Sequence, residues 1–324
     1  MTVLRLCRLG LIPVGAGLRD VLPAGLLAAL LGGLLAAGCA EEPSPAPQAD
    51  LGGLAALDVA PADGAEAPLE GALRGGCGAG DLAGFFEVVY GKYASYFGGE
   101  ISAFAAPFSP PEDLLATGPC TLRARVPLLC ASQCTGGQTC GLEGLCVDPP
   151  GSVGVGAVTV SGLLQAVEVE PTEGTGYYLD SSLPHPPFEV GSALRLDGPG
   201  AGDGALTLYG KGVNKVETDS SEWSLSAGDP LSVTWTPGTV AEAEVEVLLS
   251  VDQDNPEALE IFCASDDTGS LEIASELIDA LLATETSGFP AGTITRRTVD
   301  SDVLDRGCVE LRVTSSILIT VVVP

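Results

Sequence analysis

The sequence predicts a mainly β protein: a small disulfide-rich module followed by an antiparallel β-sandwich with one short helix. Three observations predict it. From about residue 151 onward apolar residues recur at every second position, as in Val245, Val247, Leu249 and Val251 or Val309, Leu311 and Val313, and period two marks a strand with one buried face. Turn clusters such as Asp197-Gly198-Pro199-Gly200 and Gly228-Asp229-Pro230 fall between these runs. Earlier, Cys130-x3-Cys134-x5-Cys140-x5-Cys146 encloses Gly136, Gly137, Gly141 and Gly144. With so few apolar residues, that stretch must be ordered by crosslinks rather than by burial.

Residues 1–38 come first. Arg5, Arg8 and Arg19 precede an uncharged run, Val21 to Gly38, which closes on Leu34-Leu35-Ala36-Ala37-Gly38-Cys39. Positive charge, an apolar stretch and small residues, in that order, make an export leader. This segment resembles the lipobox signal peptide of bacterial lipoproteins. The resemblance implies cleavage before Cys39, a diacylglycerol on its sulfur and acylation, as by palmitate, of the freed amine. At about 0.8 kcal/mol per buried methylene, two or three such chains anchor a protein stably to a membrane. In the lipoproteins it resembles, an aspartate after the cysteine favours the inner membrane, so Ala40 implies the outer membrane, on its periplasmic or surface face.

Residues 39–76 carry Glu41-Glu42-Pro43-Ser44-Pro45-Ala46-Pro47 and no sustained apolar period. They predict a disordered, acidic Ala/Pro/Gly tether extended by self-repulsion.

Residues 77–150 form the cysteine-rich module. Half of the chain's aromatics fall here, Phe85 to Phe108, and Phe86-Glu87-Val88-Val89-Tyr90, the Gly91-Lys92 break and Tyr93 to Phe97 predict short strands joined by tight turns with core-facing rings. Beyond Cys7 and Cys39 eight cysteines remain: Cys77, Cys120, Cys130, Cys134, Cys140, Cys146, Cys263 and Cys308. An even count in an exported chain predicts disulfides. The pairing Cys130 with Cys140 and Cys134 with Cys146 is similar to small EGF-like modules, while the residues themselves leave three pairings open. Order along the chain then suggests Cys77 with Cys120 and Cys263 with Cys308.

Residues 151–324 carry many short alternating strands, the spacing of an immunoglobulin-like sandwich. Trp235 continues the inward parity of Leu231 and Val233 and predicts a core indole. Ile273, Leu277 and Leu281, with Ile278 and Leu282, follow helical spacing, Ser275 is placed to cap that helix, and Gly288 and Pro290 to end it. Ile317 to Val323 is too short to cross a bilayer as a helix and predicts a closing strand.

The formal charge is −29, and loss of the leader, which holds Arg5, Arg8, Arg19 and Asp20, takes it to −31. Such a field repels nucleic acid. The expected partners are the membrane, through the lipid, and a protein or glycan ligand; no cofactor or metal is expected. A zinc site lacks imidazoles, His185 in Pro184-His185-Pro186-Pro187 being the single histidine, and a nucleophilic triad fails for the same reason. Gly198 to Gly204 lacks a phosphate-binding pattern. Asp267-Thr268-Gly269-Ser270 resembles the aspartic protease motif, but no second copy exists to share a proton, and a tight turn explains it equally well. Calcium would need Asp252-Gln253-Asp254-Asn255 with Glu257, or Asp266 and Asp267, at opposite ends of the strand Leu259 to Cys263.

Residues 77–324 as a whole resemble cysteine-rich, β-rich envelope lipoproteins of Gram-negative bacteria. The carrying features are Cys130 to Cys146, Gly156-Ala157-Val158-Thr159-Val160-Ser161-Gly162-Leu163, and Asp267 to Ser270 leading to Gly307-Cys308-Val309-Glu310-Leu311. The expectation is a non-enzymatic binding or structural component of the envelope. The alternatives are a hydrolase using paired carboxylates in a cleft between the two modules, with Asp267 its best residue, and a carbohydrate-binding module presenting Tyr90, Tyr93 and Tyr96 in a row.

Overall fold

The computed structural model describes residues 68–78, 80–200, 202, 204–252, 258–284 and 289–323. The leader, Cys39 and the tether up to residue 67 lie outside them. Three hairpins come first: β1 (Leu82–Tyr90) with β2 (Ser95–Ile101), β3 (Glu112–Thr117) with β4 (Cys120–Ala124), and the short β5 (Thr139–Cys140) with β6 (Cys146–Val147). Then come β7 (Val158–Ser161), β8 (Val167–Val169), β9 (Tyr177–Asp180), β10 (Ala193–Gly198) and β11 (Leu206–Lys211). The last part holds β12 (Glu222–Ser224), β13 (Leu231–Thr234), β14 (Glu244–Ser250), β15 (Leu259–Asp266), β16 (Ser270–Ile273), helix α1 (Ser275–Leu282), β17 (Ala291–Leu304) and β18 (Gly307–Val322).

The protein is mainly β, as the alternation predicts, and its sheets pack face to face. One ten-stranded sheet runs β3-β4-β15-β14-β17-β18-β1-β2-β9, with β12 added beside β18. A four-stranded sheet, β11-β10-β7-β8, and the pair β13-β16 are the smaller layers. Two pairings of the large sheet, β1 with β18 and β12 with β18, are parallel; the others are antiparallel.

Two apolar cores form against the inner face of the large sheet. In the first, Phe86, Val88 and Phe97 meet Val160, Leu194, Leu196 and Leu208 from the four-stranded sheet, with Leu311 and Val313 of β18. In the second, Val247, Ile261 and Ile294 meet Val233, Trp235 and Ile273, and helix α1 adds Leu277, Ile278 and Leu281. Each such side chain contributes roughly 1.5–3 kcal/mol on burial. The β17–β18 hairpin, with strands of 14 and 16 residues, is long enough to serve both cores. Between them, alternate inward positions of β17 are Arg296, Thr298 and Asp300, all essentially inaccessible to solvent.

Four expectations are corrected. Residue 150 does not divide the packing, because β1, β2, β3 and β4 belong to the same sheet as β14, β15, β17 and β18; Phe86 of β1 and Phe97 of β2 bury themselves with residues of β10 and β11 instead of forming their own core. The tether does not extend to residue 76, since Gly71 packs on the Tyr209 ring and Arg74 bonds the buried Asp300. Helix α1 starts after Ala274, with no side-chain cap, so Ser275 sits inside the first turn; it ends at Leu282, and Ile273 belongs to β16. Gly288, placed to stop it, lies outside the described residues.

The fourth correction concerns crosslinks. Cys130–Cys140 and Cys134–Cys146 are bonded, as in the EGF-like pattern, but the other bridges are Cys77–Cys308 and Cys120–Cys263. Nearest-in-order pairing fails because the sheet brings distant strands together. Cys120 and Cys263 are register partners on β4 and β15, with Cα atoms 4.0 Å apart. Cys308 opens β18 beside β1, its N–H donating to the Asp81 carbonyl at 2.8 Å, and this puts it next to Cys77.

Candidate functional site

Asp267, the sharpest sequence candidate, sits in the tight turn between β15 and β16. Gly269 takes φ +94° there, a left-handed conformation that suits glycine, and its carbonyl accepts the Trp235 N–H at 2.9 Å. The Asp267 carboxylate accepts four hydrogen bonds. Oδ1 takes Trp235 Nε1–H at 2.7 Å and Arg296 Nη2–H at 3.0 Å, while Oδ2 takes Arg296 Nε–H at 2.6 Å and the Gly238 N–H at 2.9 Å. Arg296 is equally occupied: Nη1 donates to the carbonyls of Asn214 and Lys215, and Nη2 also to that of Thr236. All five guanidinium N–H groups thus have acceptors.

Burial alone would push the Asp267 carboxyl up, but the hydrogen bonds from Arg296 and Trp235 and the Arg296 charge outweigh it and hold the group below the usual carboxylate range. Among the described residues no second carboxylate is bonded to it. An ionised acid with every lone pair engaged can neither donate a proton nor polarise water, so Asp267 is a structural clamp. The calcium loop anchored at Asp252 has Gln253 to Glu257 outside the described residues.

The tyrosine row does not form. Tyr90 faces inward, half-buried with its ring edge-on to His185 and Phe188, whereas Tyr96 points to the outer face and Tyr93 lies exposed in the turn. Tyr96 and Tyr177 instead lean over Gly98, where a Cβ would lie 3.7 Å from the Tyr96 ring and 3.6 Å from the Tyr177 hydroxyl. His185 Nδ1 lies 2.8 Å from Oγ of the buried Ser95 and ties its loop to the β1–β2 hairpin. In the cysteine cluster the sulfurs of Cys130, Cys134 and Cys146 lie within 4.8 Å of one another, but each is already bonded in a disulfide and offers no thiolate to a metal.

A concave feature with convergent polar groups lies where β4 runs into the cysteine cluster. Phe108, Pro111, Val126 and Pro127 line a hollow of about 460 Å3 with Arg123, Arg125 and Glu260. A second hollow, about 320 Å3, opens on the other side of Phe108 against Leu142 and Leu145. Arg123 and Glu260 are register partners on β4 and β15. Glu260 Oε1 accepts Arg123 Nε–H at 2.7 Å and its Oε2 accepts Arg125 Nε–H at 3.0 Å, so one largely buried carboxylate braces two guanidinium groups. The Arg123 guanidinium also lies 4.2 Å from the Phe262 ring centre. The sequence carries little signal for these residues beyond the spacing of Arg123, on β4, and Arg125, just past its end, which puts both on one face of extended chain.

No family model matches the chain, and no curated protein matches it. Among solved structures, the chain is similar to the chicken CNTN1 FN1-FN3 domains, with 13% identity over 70% of this chain and 78% of that one and a TM-score of 0.18. Among the described residues no helix is long and apolar enough to cross a membrane, which leaves β-barrel spans unaddressed.

Proposed function

We propose that this chain is a lipid-anchored protein of the bacterial cell envelope, held at the outer membrane through Cys39 and acting as a non-enzymatic binding or structural component. The observation that carries the proposal is the segment Leu34 to Cys39 at the close of an uncharged run preceded by three arginines. Four disulfides support it, since such bonds persist in oxidising compartments. The occupied state of Asp267 supports the non-enzymatic part, because it takes from the hydrolase alternative its central acid.

The test is the intact mass of the protein extracted from membranes, before and after reduction. The expected species begins at Cys39, carries two or three acyl chains, and yields eight alkylatable thiols on reduction only. A soluble species beginning at Met1 with thiols already reactive overturns the reading.

A further inference from the structure

We propose that the outer face of the large sheet, where Tyr96 and Tyr177 meet, binds an uncharged glycan of flat, β-linked sugar rings. The site lies in the folded part of the chain, gives the binding role a ligand class, and holds whether or not Cys39 carries lipid. Its floor is the first argument. Register pairs Gly98 of β2 with Glu87 of β1 and Leu179 of β9, and pairs Glu100 of β2 with Tyr177 of β9. Gly98 has no side chain and belongs to neither core, yet it is buried. The Tyr96 and Tyr177 rings cover it, reaching toward one another over the glycine. Rings that shield the backbone beneath them lie along the sheet, and their other faces meet solvent: Tyr96 is 38% and Tyr177 40% exposed.

The rim is the second argument. Glu87 Oε1 accepts the Thr314 hydroxyl at 2.8 Å and Glu100 Oε1 accepts that of Ser152, so each carboxylate is held by one oxygen. Among the described residues, the other oxygen of each accepts no hydrogen bond. Burial first, then the charge of Glu87 and the Tyr177 phenol, push the Tyr96 hydroxyl above its ordinary range, as befits groups that lie side by side. Arg312, the register partner of Glu87 on β18, is turned to Glu310, which accepts its Nε–H at 2.6 Å, and to the Phe85 ring. A stacking floor between open acceptors suits a molecule with an apolar ring face and hydroxyl donors along its edges. Sugar rings have both. Two carboxylates in a chain of formal charge −29 repel acids and phosphates. Two rings and Leu179, 52% exposed, fall far short of the about 800 Å2 per partner of a stable protein interface, which favours a sugar chain over a protein.

The experiment titrates the full chain with cellotetraose, a β-1,4-linked glucose tetramer, following heat of binding and the ring resonances of Tyr96 and Tyr177. Saturable binding is expected at about millimolar concentration. The α-linked maltotetraose should bind severalfold more weakly, because its bent chain lays fewer rings flat. Tyr96→Ala and Tyr177→Ala each weaken cellotetraose by about three- to tenfold, the loss of one stacked ring, whereas Tyr96→Phe keeps the ring and stays within about twofold. Both tyrosines stand outside the cores, so their truncation tests the floor without disturbing the packing. Glu87→Gln weakens binding severalfold by exchanging a charged acceptor for a neutral one. Tyr93→Ala, in the β1–β2 turn at 83% exposure, leaves it unchanged. Full affinity in the folded Tyr96→Ala and Tyr177→Ala chains, equal binding of the two sugars, or absence of saturation at about 10 mM overturns the proposal. So does a self-association that Tyr177→Ala abolishes, which assigns the face to a second copy. The anchor has its own test by mass, so failure here leaves that reading standing.

Discussion

Asp267 and Arg296, 29 residues apart in the chain, satisfy each other through two hydrogen bonds of 2.6 and 3.0 Å at the boundary between the two cores. Both side chains are nearly inaccessible. Around them the pair collects Trp235, the Gly238 amide and the carbonyls of Asn214, Lys215 and Thr236, all in segments outside regular strands. A buried ion pair gains little over apolar packing in net energy, but it dictates which backbone groups must face it. The clamp therefore orients the 214–216 and 235–238 segments on β17.

Breaking the clamp from one side strands a buried charge. Arg296→Met leaves the Asp267 carboxylate and three backbone carbonyls without that donor, and Asp267→Asn leaves the guanidinium short of its counter-charge. Each is expected to cost about 3–5 kcal/mol in urea unfolding of the full chain. Arg297→Gln, which removes partly exposed pairs with Glu244 and Glu246, is expected to cost less than about 1 kcal/mol. Comparable losses at positions 296 and 297 would show that the clamp has no special weight.

Stability falls on acidification. Asp267 and Asp300 both titrate below the ordinary carboxylate range: in each, burial is opposed and outweighed by arginine hydrogen bonds, from Arg296 and Arg74 respectively. A folded-state pKa below the unfolded one means that the unfolded chain binds more protons in that window. The stabilisation is then fully present above about pH 5 and is lost as pH drops through 4 and below. Melting temperature against pH should be nearly flat near neutrality and steep below pH 4. In Asp300→Asn the acid limb should be shallower, and an unchanged limb would remove Asp300 from this account.

Much of the fold was legible in the sequence because each buried strand carries its own period. Val245 to Val251 and Val309 to Val313 alternate whatever they pair with, so existence and facing could be read locally. Which strand lies beside which could not: β4 meets β15, and β1 meets β18, across more than a hundred residues, and this pairing decides the crosslinks and merges the cysteine-rich module into the main sheet. The site was hidden for a similar reason. Arg123, Glu260 and Phe108 carry no spacing that links them, and only the β4–β15 register brings their charges together. Asp267 shows the converse: a motif conspicuous in sequence is consumed by an arginine from another strand.

Peptide mapping without reduction tests that register directly. Linked fragments joining Cys77 to Cys308 and Cys120 to Cys263 are expected, with none joining Cys77 to Cys120. These bridges close loops of 231 and 143 residues, so replacing either pair by serines should cost about 2–5 kcal/mol. Recovery of the Cys263–Cys308 fragment would invalidate the β4–β15 pairing.

Two of the fastenings of segment 68–78, at Arg74 and at Cys77, should be coupled. Arg74 gives its backbone N–H and Nε–H to Asp300 Oδ1 at 2.7 and 2.9 Å and its Nη2–H to Oδ2 at 2.8 Å, while Cys77, three residues on, is bonded to Cys308 and gives its N–H to Glu310 at 2.6 Å. In Arg74→Met, Asp300 loses the guanidinium and keeps the backbone N–H groups of residue 74 and Tyr209, at 2.7 and 2.8 Å. Arg74→Met alone is thus expected to cost about 1–3 kcal/mol, the loss of charged hydrogen bonds to a buried carboxylate that keeps two backbone donors. Without the bridge the segment gains freedom, the arginine must surrender more entropy to reach Asp300, and its ion pair is worth less. In a double-mutant cycle the cost of Arg74→Met should therefore be smaller, by about 0.5–2 kcal/mol, in the Cys77→Ser, Cys308→Ser background than in the native chain. Additive costs would mean that the bridge and the ion pair hold the segment separately, and that Asp300 recruits Arg74 without help from the crosslink.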